Sequence, residues 1–136
     1  MVHSKADLDI AKAVKSAVKI PVILSGDIVD KQSYEHIKNY TGCDAYMIGR
    51  GSLGSPEIFA EILDKKIETT RFETILKHIE ILRKYFPDRF ISGHIRKHLL
   101  WYLKGYSGAA TIKSQVSMEP DLDKVLSIMK KFMEKQ

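Results

Sequence analysis

Two short apolar runs in this chain each stop at a small group of residues that can face an anion. A glycine at the carboxyl end of a strand lets the backbone turn sharply and approach a ligand. An arginine offers a planar fork of donors with a permanent charge. A glycine ends each of these two runs, and an arginine follows the glycine of the second run. The candidate phosphate-binding residues are Ser25, Gly26, Asp27, Gly49 and Arg50.

Each turn also has an ordinary structural explanation. The first turn alone could be a plain connection between a strand and a helix, and Arg50 could pair with a nearby carboxylate instead of a ligand. Asp27 repels phosphate, so we expect it to hold the loop or to bind a sugar hydroxyl. The two turns together favour phosphate binding more than either alone. A helix predicted to begin at Ser55-Pro56 would add partial positive charge nearby.

A second group of residues combines positive charge with aromatic rings. Basic residues can contact phosphates and rings can stack on bases, so this composition suits RNA. The alternative is a core helix with solvated charges, and for Leu99 and Trp101 we expect core positions. The candidate RNA-binding residues are Arg96, Lys97 and Lys104.

Metal and nucleophilic chemistry find little support in the sequence. His94 and His98 are four residues apart and could share a helix face, but no third ligand and no accompanying glutamate are evident. The single cysteine, Cys43, precedes a predicted strand, where we expect a small buried thiol. No metal site is therefore predicted.

The charge of the chain is distributed unevenly. Residues 1–69 carry nine basic and ten acidic residues, whereas residues 70–136 carry thirteen and seven, a net charge of +6. The second part is a candidate polyanion-binding surface, or else an ordinary solvated helical surface. No apolar run is long enough to span a membrane. A single cysteine excludes an internal disulfide and suits a reducing cytoplasm.

The patterning predicts α/β structure followed by all-α structure. The pattern of residues 1–69 predicts the last βα units of a (β/α)8 TIM barrel, whose final loops commonly bind phosphate. The pattern of residues 70–136 predicts a small helical bundle. The predicted strands are 20–25 and 44–48, and the predicted helices are 5–18, 31–40, 56–65, 71–86, 88–104, 109–117 and a last one from 120.

The first part cannot close an α/β domain by itself. Strand 20–25 is apolar throughout, as in a strand buried on both faces. Two parallel strands leave two sheet edges unpaired. We therefore expect this chain to be the C-terminal piece of a longer protein, and expect the isolated fragment to self-associate through its strands.

Three strings, taken in order, resemble the C-terminal part of the tRNA-dihydrouridine synthases. They are IPVILSGDI, TGCDAYMIGRGSLGSPEIFAEI and IRKHLLWYLKGYSGAA. The first two would also admit other FMN-dependent barrels, such as a dihydroorotate-dehydrogenase-like enzyme. The third adds the basic helix, which those enzymes do not explain. A stand-alone RNA-binding helical module without catalysis is the other alternative, and it leaves the two glycine turns without a role.

The resemblance implies an FMN-dependent barrel that reduces uridines in tRNA to 5,6-dihydrouridine, with NADPH as reductant. By position, the two turns match the FMN phosphate site, and residues 70–136 match the tRNA-binding domain. Ser25 stands where the family usually has asparagine. The family's catalytic cysteine is expected upstream of this chain, so the fragment alone is expected to be inactive. His3 lies near the family's flavin histidine, but its surroundings do not match and it is given no role.

Overall fold

The computed structural model describes residues 5–135, which form α-helices and two short β-strands. The chain divides into two units, Met1–Ile67 and Glu68–Gln136. The elements of the first unit are α1 (Leu8–Ala17), β1 (Ile23–Ser25), α2 (Lys31–Thr41), β2 (Ala45–Met47), a 3₁₀ turn (Arg50–Ser52) and α3 (Ile58–Ile62). The elements of the second unit are α4 (Arg71–Tyr85), α5 (Asp88–Tyr102), α6 (Ala109–Met118) and α7 (Leu122–Met133).

In the first unit, the helices begin and end where the sequence provides caps. The Asp30 carboxylate accepts the Ser33 N–H, and the Ser33 hydroxyl oxygen accepts the Asp30 N–H. The two bonds form a capping box. Gly42 ends α2 with a φ of 63°, a left-handed conformation that favours glycine. The unit's core contains Ile28, Ile37 and Ile58.

The two strands pair in parallel, with Ile23 opposite Ala45 and Ser25 opposite Met47. The prediction that the first strand is buried on both faces is wrong for this chain. Leu24 packs against the core of the unit, but Ile23 is 68% exposed and Met47 is 55% exposed. Side chains alternate across a strand, so only one face of this two-stranded sheet is covered by helices.

The helix predicted to begin at Ser55-Pro56 begins later. Gly54 takes a left-handed φ of 74°, and the Ile58 and Phe59 N–H groups bond to carbonyls only three residues back. The five-residue α3 has Glu57 at its N-cap with no side-chain capping bond. The N-terminus of α3 therefore lies at Ile58 and not at the predicted Ser55-Pro56.

The second unit is a helical bundle around its own apolar core. Thr70 and Glu73 form a capping box at the start of α4, and hydrogen bonds from the Thr70 N–H and hydroxyl lower the pKa of Glu73. The fully buried side chains come from all four helices. They include Ile75, Ile95, Leu99, Val116, Val125 and Met129.

The described residues are mostly helical with a small parallel sheet, which is compatible with the predicted α/β part followed by an all-α part. The (β/α)8 barrel itself stays a prediction. Within residues 5–135, no helix is both long and apolar enough to cross a membrane.

Candidate functional site

The two candidate phosphate-binding turns lie side by side. Parallel pairing of β1 and β2 places both carboxyl ends at one edge of the sheet. The Arg50 guanidinium donates from Nη2 to Asp27 Oδ1 at 3.0 Å, across the two turns. The structure thus brings together Asp27 and Arg50, residues that are separated by a whole helix in sequence.

Asp27 holds the first turn in place. Its other carboxylate oxygen, Oδ2, accepts the Ala6 N–H at 2.7 Å. Its φ is 40°, a left-handed conformation that aspartate tolerates better than most residues. Of the two roles predicted for Asp27, the structure shows the loop-holding one. The carboxylate partner considered as an alternative for Arg50 is also present.

The glycines of the two turns differ in what surrounds them. A Cβ on Gly26 would lie 2.5 Å from the Ala6 Cβ, and a Cβ on Gly51 would lie 2.2 Å from the Ile28 carbonyl oxygen. Both glycines are therefore required by close packing of the chain on itself. A Cβ on Gly49 would meet nothing within 4 Å. Of these three glycines, Gly49 is the one that borders open space where a ligand could approach.

The polar groups at this edge are accessible. The Arg50 side chain is 64% exposed and the Asp27 side chain is 37% exposed, and Ser25 is exposed at the end of β1. The Arg50 guanidinium carries a permanent positive charge, and its Nη2 donates to Asp27 Oδ1. The edge can offer charged donors to an anion, but the Asp27 carboxylate offsets part of the positive charge.

In the second unit, Arg96 is bound within the protein. Its Nη1 donates to the Val116 and Glu119 carbonyls at 2.6 and 2.5 Å. Its Nη2 donates to Ser92 Oγ at 3.0 Å and to the Pro120 carbonyl at 3.3 Å. These carbonyls lie in the last turn of α6 and just beyond it, where helical partners run out. Arg96 thus joins α5 to the end of α6, and its predicted contact with RNA stays a prediction.

Lys97 and Lys104 are exposed, in contrast to Arg96. The Lys104 ammonium lies 6.0 Å from the centre of the Trp101 ring. Leu99 is 1% exposed, which confirms its predicted core position. Trp101 is only partly buried, so the core position predicted for it is wrong. It follows Leu99 by two residues, which turns it to another side of the helix.

A pair of histidines lies between α4 and α5. The ring centres of His78 and His98 are 5.0 Å apart, and His78 Nδ1 is 3.3 Å from the buried Tyr102 hydroxyl. Burial lowers the pKa of His78, and the nearby His98 lowers it further. His78 is not among the residues that the sequence motifs single out. The signal was present, because His78 stands between Ile75 and Ile79 on the apolar side of α4.

The remaining chemical candidates are placed as follows. Cys43 is buried at 7% exposure, as predicted. No cluster of three or more His, Cys, Asp or Glu side chains that could hold a metal exists among residues 5–135. His3 lies outside the described residues.

Comparison with known proteins gives a consistent result. The family model for dihydrouridine synthase (Dus) matches residues 1–135. The tRNA-dihydrouridine synthase B of Pasteurella multocida is 36% identical over 77% of this chain and 34% of its own length. That of Vibrio cholerae is 31% identical over 98% of this chain and 44% of its own length.

The chain therefore spans 34% to 44% of the length of these curated relatives. Its match nevertheless runs through both units, from the glycine turns to the last helix. The chain belongs to the dihydrouridine synthase family.

Proposed function

We propose that this chain is part of an FMN-dependent tRNA-dihydrouridine synthase, which reduces specific uridines of tRNA to 5,6-dihydrouridine with NADPH as reductant. The observation that carries the proposal is the meeting of the two turns through the Asp27–Arg50 bond. The names of the relatives support the same reaction. A tRNA substrate and a free cysteine that forms no disulfide both favour a location in the cytoplasm.

The residues at the turns fit the phosphate of FMN. Ser25 offers an exposed hydroxyl, Gly49 leaves open space beside the backbone, and Arg50 offers an exposed guanidinium. Gly26 and Asp27 hold the first turn against the chain entering α1. FMN, when bound, supplies the hydride for the pyrimidine ring. These residues bind and orient it, and we assign them no part in proton transfer.

The proton of the reaction is not assigned to Cys43. Its thiol is buried, and a proton donor must come within hydrogen-bond reach of its acceptor. We therefore propose that the chain by itself does not reduce uridine, and that residues 70–136 serve to hold tRNA.

A stand-alone RNA-binding module is the second candidate, because the helical unit has a hydrophobic core of its own. The two candidates differ in flavin chemistry. The complete enzyme should purify with bound flavin and should form dihydrouridine in tRNA with NADPH, measured by mass spectrometry of digested tRNA. A complete protein that binds tRNA but neither flavin nor NADPH favours the module.

The phosphate site is tested by Arg50→Ala in the complete enzyme, which we expect to lower flavin occupancy, read from the visible absorption spectrum. Arg50→Ala also leaves the Asp27 carboxylate facing the phosphate without its partner. A second variant, Asp27→Asn with Arg50→Ala, separates loss of the cation from this added repulsion, because asparagine can still accept the Ala6 N–H.

Lys19→Ala is the matched control, since Lys19 is an exposed cation before the opposite end of β1. It should purify with the same flavin content as the unaltered enzyme. Full flavin occupancy in both Arg50 variants would remove the two turns from the phosphate site.

A further inference from the structure

One side of α5, together with the turn that follows it, carries aromatic rings and lysines. The residues involved follow one another at intervals of four, three, four and three positions. The first four lie along a single face of α5, and the fifth lies in the turn just after the helix ends at Tyr102. Isoleucines and leucines of the same helix that are buried in the core stand on the opposite face. We call this set the α5 stripe; its members are Phe90, His94, Lys97, Trp101 and Lys104.

The stripe is accessible to a partner. Phe90 is 47% exposed, and the Arg89 guanidinium lies 4.8 Å from the centre of its ring. His94, Lys97 and Lys104 are exposed, and Trp101 is partly so. None of the five is acidic, so nothing within the stripe repels a polyanion.

Arg96 precedes Lys97 in the sequence but is not part of the α5 stripe. Arg96 follows His94 by two residues and turns away from the stripe to bind carbonyls at the end of α6. Lys97, one position further, lies on the stripe and is exposed. Neighbouring cations in the sequence therefore have different tasks: Arg96 holds the bundle together and Lys97 is presented to solvent.

We propose that the α5 stripe is a stacking surface for unpaired nucleotides of an RNA, in which Phe90 and Trp101 take bases and Lys97 and Lys104 take phosphates. This inference rests on the proposed tRNA substrate and identifies the surface of the helical unit that binds it. Aromatic rings stack on any base, and lysines follow the backbone charge.

The length of the stripe suits a short single strand. Phe90 and Trp101 are eleven residues apart, about 16 Å along a helix. That distance accommodates roughly five stacked nucleotides at about 3.4 Å each. The lysines among the rings distinguish this surface from an apolar docking face, whose centre is depleted of charge.

Trp101 is the chain's single tryptophan, so its fluorescence reports on the stripe directly. We would titrate the full chain with an eight-nucleotide oligouridylate and with a fully paired RNA duplex. The single strand should quench Trp101 and should bind more tightly than the duplex. Absence of quenching at saturating oligouridylate, with binding seen by another method, would overturn the proposal.

Variants separate the two kinds of contact. Trp101→Leu should weaken oligouridylate binding about 5- to 150-fold, the range expected for loss of one base stack, whereas Trp101→Phe should retain most of the affinity. Tyr85→Leu is the control, because Tyr85 is 76% exposed on α4 and is not part of the stripe. These affinities are measured by fluorescence anisotropy of a labelled oligonucleotide, and circular dichroism verifies that each variant is folded.

Lys97→Ala should lower the slope of log affinity against log salt by about 0.7, the value for one phosphate contact on a single strand. Lys124→Ala, an exposed lysine on α7, should leave that slope unchanged. An unchanged slope for Lys97→Ala, an equal loss of affinity in Tyr85→Leu, or binding to anionic lipid vesicles in place of RNA would each count against the stripe.

Failure of this inference can be told apart from failure of the proposed function. If the complete enzyme forms dihydrouridine and the Trp101→Leu and Lys97→Ala enzymes do so with unchanged KM for tRNA, the stripe is not the gripping surface. If the complete enzyme binds no flavin and forms no dihydrouridine, the proposed function itself is wrong.

Discussion

Arg96 joins α5 to the end of α6 through three backbone carbonyls, and it also donates to the Ser92 hydroxyl on its own helix. Hydrogen bonds from a charged donor contribute about 1.5–3 kcal/mol, and unsatisfied partners add to the cost of removing one. Arg96→Ala should therefore lower the free energy of unfolding of the helical unit by about 2–4 kcal/mol. Urea denaturation followed by Trp101 fluorescence measures this, because Trp101 lies on the same helix.

Lys97→Ala is the matched control for Arg96→Ala. It removes a neighbouring charge from the same helix at an exposed position, and surface substitutions of this kind usually change stability by less than about 0.5 kcal/mol. Equal stability of the two variants would mean that the carbonyl contacts of Arg96 contribute little. A loss of RNA affinity in Arg96→Ala has to be judged only under conditions where that variant is folded.

We expect His78 to make the stability of the helical unit depend on pH. Burial and the facing His98 lower the pKa of His78 in the folded state, so the unfolded chain binds this proton more readily. Stability should therefore be full above the unfolded pKa of about 6.5 and should fall as the pH drops below it. The groups that face His78 from α5 are His98 and Tyr102.

The pH dependence is measured as the difference in unfolding free energy between the natural chain and His78→Gln, from pH 8 to pH 5.5. Glutamine can still bond to the Tyr102 hydroxyl but has no proton to gain. The unfolding free energy of the natural chain minus that of His78→Gln should become more negative as the pH falls. A difference that is constant across this range would contradict the role given to His78.

At Gly51 the second turn packs tightly against the backbone of the first. A Cβ there would lie 2.2 Å from the Ile28 carbonyl oxygen and 3.2 Å from the Val29 Cα. Backbone on both sides cannot yield without moving the turns apart. Gly51→Ala should therefore destabilise the first unit by about 1–3 kcal/mol, the usual cost of overpacking.

Gly49→Ala is the companion variant, since a Cβ at Gly49 meets nothing within 4 Å. It should cost less stability than Gly51→Ala in thermal unfolding followed by circular dichroism. In the complete enzyme, Gly49→Ala should instead affect flavin content more than stability, because it narrows open space at the proposed site. The reverse order of stabilities would show that the two turns are not held by backbone contact.

The elements that could be predicted are those whose ends have a local chemical signal. The capping boxes begun by Asp30 and Thr70, and the glycine at 42, act through bonds within a few residues. The start of α3 could not be predicted the same way. Ser55-Pro56 is a good local start, but the left-handed turn at Gly54 and the tight turns that follow delay the helix to Ile58.

The same difference between local signals and long-range contacts applies to the candidate site. That the two turns lie together follows from parallel strands, which the apolar runs predict. The contacts of Arg50 with Asp27, and of Arg96 with the end of α6, depend on where side chains lie across long sequence separations. Sequence alone left both arginines as candidates for a ligand, and only the structure distinguishes the exposed Arg50 from the internally bonded Arg96.

At the scale of the whole molecule, the uncovered face of the sheet is the feature with the largest consequence for behaviour in solution. Ile20 and Ile23 are 69% and 68% exposed, and Met47 is 55% exposed. Pairing in register puts Ile23 and Met47 on the same face. Exposed apolar strands with open edges are templates for association with another chain.

We therefore expect this chain in isolation to self-associate through that face. Sedimentation velocity at increasing concentration should give an average mass rising above the 15.5 kDa of one chain. Replacing Ile23 and Met47 together by threonine, which is polar and tolerates a strand, should shift the species toward the monomer. Met118→Thr is the control, because Met118 is 81% exposed but lies at the end of α6. A chain that is monomeric at every concentration, or one whose association is lost equally in the control, would show that the sheet face is not the contact.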